Sequence, residues 1–313
     1  MKLTPAYISS TIQDASSTRV LSLRSKCITH IDDISYCVNL TKIDLSENEM
    51  KSGEALSGLK YCKGVTWISV AKNHLNDITN LTNLKSLQGK DYKIIFTYLF
   101  IYLLILVLNA SYNELSELPW DSLLELTSLK ALILNNNNFT LFPPTAVLPS
   151  SLDTLVLSHN PLKELPKKMF RVLPSLTKLS CSNAQLHCIP DLSLCAELKE
   201  IRLATNKLSS LTDIDRFLPL TVEIIDIGHN LIRKRSELQK LFIFKKLTSL
   251  NVRGNLTAEE DEEFFKSAQK ELPLLRNFNG RSLQPSKQKK TTEFRLKPER
   301  QNRNIKMKFE DEQ

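Results

Sequence analysis

The residues of this chain best suited to acid–base, nucleophilic or metal chemistry are five histidines and six cysteines. A histidine acting as a general base needs a partner that fixes its tautomer and a reacting proton within hydrogen-bond reach. His30, His74, His159, His187 and His229 are instead scattered along the chain. His159 and His229 each directly precede an asparagine of a recurring pattern, and His74 directly follows one, so they read as turn residues. Cys27, Cys37, Cys62, Cys181, Cys188 and Cys195 include no CxxC pair and no zinc-ligand spacing. The sequence contains no GxSxG, HExxH or phosphate-loop pattern, and its 7 glycines are few for a phosphate cradle. The expectation is a non-enzymatic protein with no catalytic, cofactor or metal residues.

The asparagines beside those histidines belong to a repeat, and the repeat decides where every other side chain goes. LKALILNNNNF places Leu129, Leu132, Leu134, Asn137 and Phe139 at the spacing LxxLxLxxNxL. The same frame fits at Asn48, Asn73, Asn160, Asn206, Asn230 and Asn255, and more loosely with Lys26, Asn113 and Ala184 in the asparagine place. That makes about ten units, 22 to 25 residues apart except for one gap of 40. The alternating LxL puts its leucines on one side of a short strand. The asparagine supplies hydrogen bonds to backbone groups in the following bend, which a buried turn cannot leave unpaired. Stacked units predict a parallel sheet on the concave side and turns or short helices on the convex side. An amphipathic helical protein is excluded, because LxL followed by Asn breaks helical periodicity.

Over residues 18 to about 283 the sequence resembles the leucine-rich-repeat superfamily, which implies an α/β solenoid that binds other proteins. The varied repeat lengths are similar to the intracellular branch that includes the protein phosphatase 1 regulatory repeat protein, dynein light chain 1 and spliceosomal U2 A-prime. LPLLRNFNGRSL (Leu272 to Leu283) resembles that branch's LPxLxxLDGxxL closing segment, with Phe278-Asn279 where Leu-Asp is usual. Ahead of it, Thr257 and Glu260 suit a capping box, and Glu259 to Glu263 place carboxylates at the positive end of a helix dipole. The expected organisation is an N-terminal cap at 1–17, repeats at 18–256, a C-terminal cap at 257–283 and a disordered basic tail at 284–313.

In the repeat frame Cys37, Cys62 and Cys195 lie three residues before the first apolar position, where other units have Leu126, Leu173 and Phe244. Cys181 takes the last leucine place of its strand. They read as small buried hydrophobes, which suits reduced thiols and an intracellular, cytoplasmic or nuclear setting. The start of the chain has no apolar stretch of signal-peptide length. Asn39, Asn80, Asn109, Asn138 and Asn255 head Asn-x-Ser/Thr triplets, which matter only in a secreted protein.

The 40-residue gap holds GKDYKIIFTYLFIYLLIL, residues 89–106. Its apolar run, Ile94 to Leu108, is 15 residues, short of the roughly 20 that span a bilayer. Three readings stand: a membrane anchor, a buried insertion, or a translated intron. The last has the most in its favour. Deleting the 18 residues leaves LKSLQVLNASYNEL, a sound repeat, and a spacing of 22. Gly-Lys and Leu-Val can also encode splice-site sequences. As translated, Ile105 and Leu108 can stand in for the displaced Leu87, with an extruded apolar loop that is an aggregation liability.

Three outward positions per strand line the concave face, from Val20, Ser22 and Arg24 to Ser249, Asn251 and Arg253. The middle is small and apolar, and the charges gather at both ends. Trp67 beside Val107, Ile133 and Val156 has the make-up of an interface hot spot, and Arg202 extends it. The net charge of +8 is concentrated in the tail, where Arg281 to Lys308 carries ten Lys or Arg against two Glu. Lys287, Lys289, Lys290, Arg295, Lys297, Arg300 and Arg303 suit an import signal, an RNA contact or a solubilising segment. Only Phe294 and Phe309 offer aromatic faces there, so base stacking has little to use. The leading expectation is an intracellular scaffold or regulatory subunit holding a protein on its concave face. The alternatives are a ribonucleoprotein component whose tail touches RNA, and a phosphatase regulator. Lys93-Ile-Ile-Phe96 and Lys63-Gly-Val-Thr-Trp67 match a phosphatase-docking pattern only by chance, one in the anomalous segment and one inside a strand.

Overall fold

The computed structural model describes residues 1–12, 14–62, 64–82, 105–255 and 262–283. Ten three-residue strands recur through residues 20–251, from Val20–Ser22 to Ser249–Asn251. Each pairs in parallel with the next, and the register matches equal repeat positions throughout, as in Ile43 with Ile68 and Leu132 with Leu155. This is the parallel sheet expected from the LxL alternation. The returns use short helical turns such as Trp120–Leu124, Lys167–Phe170 and Ile214–Phe217, because a unit of some two dozen residues has no room for a long helix. Leu129, Leu132 and Leu134 are fully buried, like their equivalents along the array. Phe139 and Phe142 fill the space beneath one return, with Trp120 edge-on to Phe142 at 5.2 Å.

The asparagines form the ladder that the bends require. Asn230 Nδ2 donates to the Leu203 and Ile227 carbonyls at 2.9 and 2.8 Å, and its Oδ1 accepts from Leu208 N at 3.1 Å. Each asparagine thereby ties its own strand to the bend of the preceding unit. Two units have no asparagine, carrying Lys26 and Ala184 instead. Their next residues, Cys27 and Gln185, take left-handed backbone at φ 52° and 61°. In both places the following asparagine accepts two amide hydrogens: Asn48 from Lys26 and Ile28, and Asn206 from Ala184 and Leu186.

Both ends of the leucine core are covered. At the start, Lys2–Leu3 pairs with His30–Ile31, and the helix Pro5–Thr11, capped by Thr4 Oγ1 accepting from Tyr7 N at 3.3 Å, buries Ile8. At the other end, the helix Glu262–Glu271 buries Phe264 and Ala268. Asn277–Phe278 then extends the sheet and turns back through Asn279 and Gly280, both at positive φ, into Arg281–Ser282. Asn279 Oδ1 accepts from Val252 N at 2.8 Å, and Phe278 stacks near Phe264 and Phe265. The capping residues expected at Thr257 and Glu260 lie outside the described residues.

Most of the apolar segment, 89–104, also lies outside them. Ile105 occupies the first apolar position of its unit and is fully buried, as expected for a stand-in for Leu87. Leu106 is 41% exposed, in a position that Thr41, Thr66, Lys130 and Asp153 hold in neighbouring units. Among the described residues, no helix is long and apolar enough to cross a membrane.

Cys37, Cys181 and Cys195 are buried in the core and Cys62 is half-buried, while Cys27 and Cys188 are exposed. Burial pushes the Cys62 and Cys195 thiols up to about 12 and raises Cys37 and Cys181. The thiolate is the reactive form. Alkylation of the native protein is therefore expected to be fast at Cys27, slower at Cys188, which is exposed but whose thiol is raised by partial burial, and slowest at the other four, with all six labelled on unfolding. Peptide mass mapping reads this directly, and fast native labelling of Cys181 would contradict the packing.

Candidate protein-binding face

The parallel register converts repeat positions into rows across the sheet. At the third position Trp67 lies beside Lys42 on one side and Val107 on the other, and Val107 lies beside Ala131. At the fifth position Asn109, Ile133, Val156, Ser180 and Arg202 follow one another. Adjacent strands are about 4.8 Å apart. Trp67, Val107, Ile133 and Val156 therefore form a diagonal apolar strip over four neighbouring strands, about 15 Å from end to end. All four are half-buried, anchored by the sheet yet accessible from the concave side.

Arg202 is not part of that strip. It lies two strands beyond Val156 and is held by Glu200 of its own strand, which Lys178 Nζ also meets at 3.1 Å. Desolvation raises the Glu200 carboxyl, but the hydrogen bonds from Arg202 and Lys178 outweigh it and keep the group ionised below its ordinary range. In four units the seventh position departs from the expectation of three outward side chains per strand, while Arg24 and Arg253 hold it exposed near the two ends. Ser46, Ala71, Ser111 and Ser158 are buried. They are small enough to sit between neighbouring units, and Ser46 and Ser158 pair their hydroxyls with Ser69 and Ser180 at 2.8 and 2.9 Å. In the middle of the array the accessible face is made by the third position and by the larger fifth-position residues such as Ile133 and Val156, since Ser69 and Ser180 are buried.

Two features of this side were not read from the sequence. The residue before the asparagine place is left-handed in all ten units, from Ser25 to Gly254, with φ between 52° and 77°. His159 and His229 occupy that row, which accounts for their recurrence as turn residues. His159 Nδ1 lies 3.0 Å from Asn183 Nδ2, and His74 Nδ1 lies 3.0 Å from Glu114 Oε1. The second feature is Glu47 in the same row. It accepts from Arg24 at 2.7 and 3.0 Å, from Ser25 Oγ at 2.7 Å and from Lys72 Nζ at 2.8 Å, clasping three units. Those donors, Arg24 first, hold its carboxyl far below the usual carboxylate range. Partners 23 and 25 residues away leave no local signal for such a hub.

No cluster of three or more metal-ligating side chains occurs among the described residues. The basic residues Lys287, Lys289, Lys290, Arg295, Lys297, Arg300 and Arg303 lie outside them.

No family model matches the chain. It is 27% identical over 153 residues to leucine-rich repeats and immunoglobulin-like domains protein 1 of Homo sapiens, covering 47% of this chain and 14% of that protein. It is 31% identical over 155 residues to Toll-like receptor 2 of Boselaphus tragocamelus, covering 49% and 19%. It is 30% identical over 227 residues to adenylate cyclase of Schizosaccharomyces pombe, covering 72% and 11%. The chain spans less than a fifth of each of these relatives. Among solved structures it is similar to the internalin inlF of Listeria monocytogenes, with a TM-score of 0.50 at 20% identity over 85% of this chain and 81% of that one. It is also similar to the protein in the TLR13–ssRNA13 complex, with a TM-score of 0.61 at 18% identity over 84% and 36%. At these identities the likeness speaks to the fold, and the fold is a leucine-rich-repeat solenoid.

Proposed function

We propose that this leucine-rich-repeat solenoid is a binding module rather than an enzyme, and that it holds another protein on its concave face. The observation that carries this reading is the apolar strip of Trp67, Val107, Ile133 and Val156, set in one register and backed by a fully buried leucine core. A large aromatic side chain such as Trp67 is the residue type that most often anchors an interface, and charges at the patch edge add selectivity. Lys178, on the strand next to Val156, and Lys42, beside Trp67, stand at that edge. Cysteines outside any disulfide, three of them buried in the core, support an intracellular role as scaffold or regulatory subunit, and the closing segment at Leu272 to Leu283 supports kinship with the phosphatase-regulator branch.

The second reading rests on one specific observation, the concentration of ten Lys or Arg between Arg281 and Lys308. A tail of that composition suits nuclear import or an RNA contact beside a protein-bound solenoid. Filter binding of RNA that weakens steeply with salt and disappears on removal of 284–313 supports it, while unchanged binding refutes it.

The concave-face reading is tested with a partner recovered by affinity purification. Trp67→Ala is expected to weaken that complex by about 2 kcal/mol or more, some thirtyfold in Kd. Ile133→Asp should do the same, and both variants should keep the parent's thermal midpoint. Variants that fold normally yet bind as tightly as the parent place the contact elsewhere.

A further inference from the structure

The C-terminal half carries a second apolar feature, on the flank where each return enters its strand. Val172, Leu194, Leu220, Ile243 and Leu274 are 40%, 57%, 55%, 42% and 49% exposed. They lie four, four, two, four and one residues before the first apolar position of five consecutive units, at Leu176, Leu198, Val222, Leu247 and Leu275. The strands that follow pair in unbroken register from Lys178–Ser180 to Asn277–Phe278. The five side chains stand at different levels along their returns, at the approaches to five neighbouring strands, and make an uneven ridge about 19 Å long at four strand spacings. A water-exposed apolar row of this kind, one residue per turn, is distinct from singly scattered surface leucines.

The charges beside the ridge say what fits it. Glu197 and Lys246 are exposed and hold the same position, one residue before the strand-leading apolar residue, in the second and fourth units of the five. Arg171 and Glu271 are exposed in the first and fifth. Lys199 and Lys245 are paired within the chain, to Glu223 at 4.0 Å and Glu271 at 3.1 Å. A two-fold axis through the third unit exchanges second with fourth and first with fifth. It therefore sets Glu197 of one copy against Lys246 of the other and Leu194 against Ile243, with Val172 at the end that faces Leu274, while Glu271 stays paired with Lys245 of its own chain. The ridge is complementary to itself turned end for end, as an isologous contact requires. We propose that this flank is a self-association surface joining two copies of the chain antiparallel, with Leu220 at the axis. This inference is independent of the concave-face reading, and the pairing leaves that face open.

Sedimentation of the full chain tests it. The monomer is 35.7 kDa, and the mass is expected to rise toward a dimer as concentration increases to about 100 µM. Leu220→Glu brings two like charges together at the axis and should weaken association at least about tenfold, with an unchanged thermal midpoint because the position is exposed. Glu197→Lys and Lys246→Glu should each weaken it, and the double exchange should restore it. The rescue separates this surface from association through the apolar segment 89–106. A monomer at every concentration, or a double exchange that fails to rescue, overturns the proposal. So does a ridge that binds anionic phospholipid vesicles while the protein stays monomeric.

Discussion

Asn206→Ala is expected to be among the most destabilising single substitutions in the chain, at about 3–5 kcal/mol. Asn206 Nδ2 donates to the Cys181 and Leu203 carbonyls at 2.8 and 2.9 Å, and Oδ1 accepts from the Ala184 and Leu186 amides at 3.0 and 2.9 Å. Alanine leaves those four groups without these bonds in the interior, at about 1 kcal/mol or more each. Asn230 is the control, because its Oδ1 serves a single amide, that of Leu208. Asn230→Ala should cost about 1 kcal/mol less than Asn206→Ala. Urea unfolding of both variants measures the difference. Equal losses would mean that the extra left-handed residue at Gln185, and not Asn206, carries the unit that has Ala184 in place of asparagine.

Removing residues 89–106 should leave the solenoid intact and raise its solubility several-fold by eliminating an 18-residue apolar segment. The deletion joins Gln88 to Val107 and puts Leu87 where Ile105 is now fully buried. It also puts Gln88 where Leu106 now exposes an apolar side chain in an otherwise polar position. Leu84 then falls three residues before Leu87, the place held by Leu126, Leu173 and Phe244 in other units. The substitutions at all three places improve the match to the repeat. On the intron reading, messenger RNA from the source cell should join the Gln88 codon directly to a valine codon. Only the long message, together with equal or better behaviour of the long protein, would refute it.

The fold was legible because the repeat states its inward positions by residue type: leucine at three places and asparagine at one, copied too often for chance. Ile105, Phe278 and the buried cysteines followed from the same frame. The left-handed row was not legible, because Glu47, Lys72, Tyr112 and Thr205 share no chemistry. Its geometry is imposed by the bend and the ladder beneath it, at a conformational cost that only the assembled array repays. The candidate face was legible in part. Register followed from the repeat and gave the Trp67 to Val156 strip its neighbours. Arg202 stands apart from the strip because two strand steps and Ser180 lie between it and Val156, and its own strand supplies Glu200 as a partner. The burial of Ser46, Ala71, Ser111 and Ser158 was not legible, because alternation says which way a side chain points, not how deep it sits.

Because, among the described residues, the strand of each unit pairs with those of its immediate neighbours, the ladder and the parallel strands act as rungs in series. Tension applied between the two ends would meet those rungs one at a time and peel units away singly, starting where a cap fails. A partner gripping several strands at once would have to be stripped before they could separate. Occupancy of the concave face would then set the force at which this protein yields, making bound and free molecules distinguishable by stretching alone.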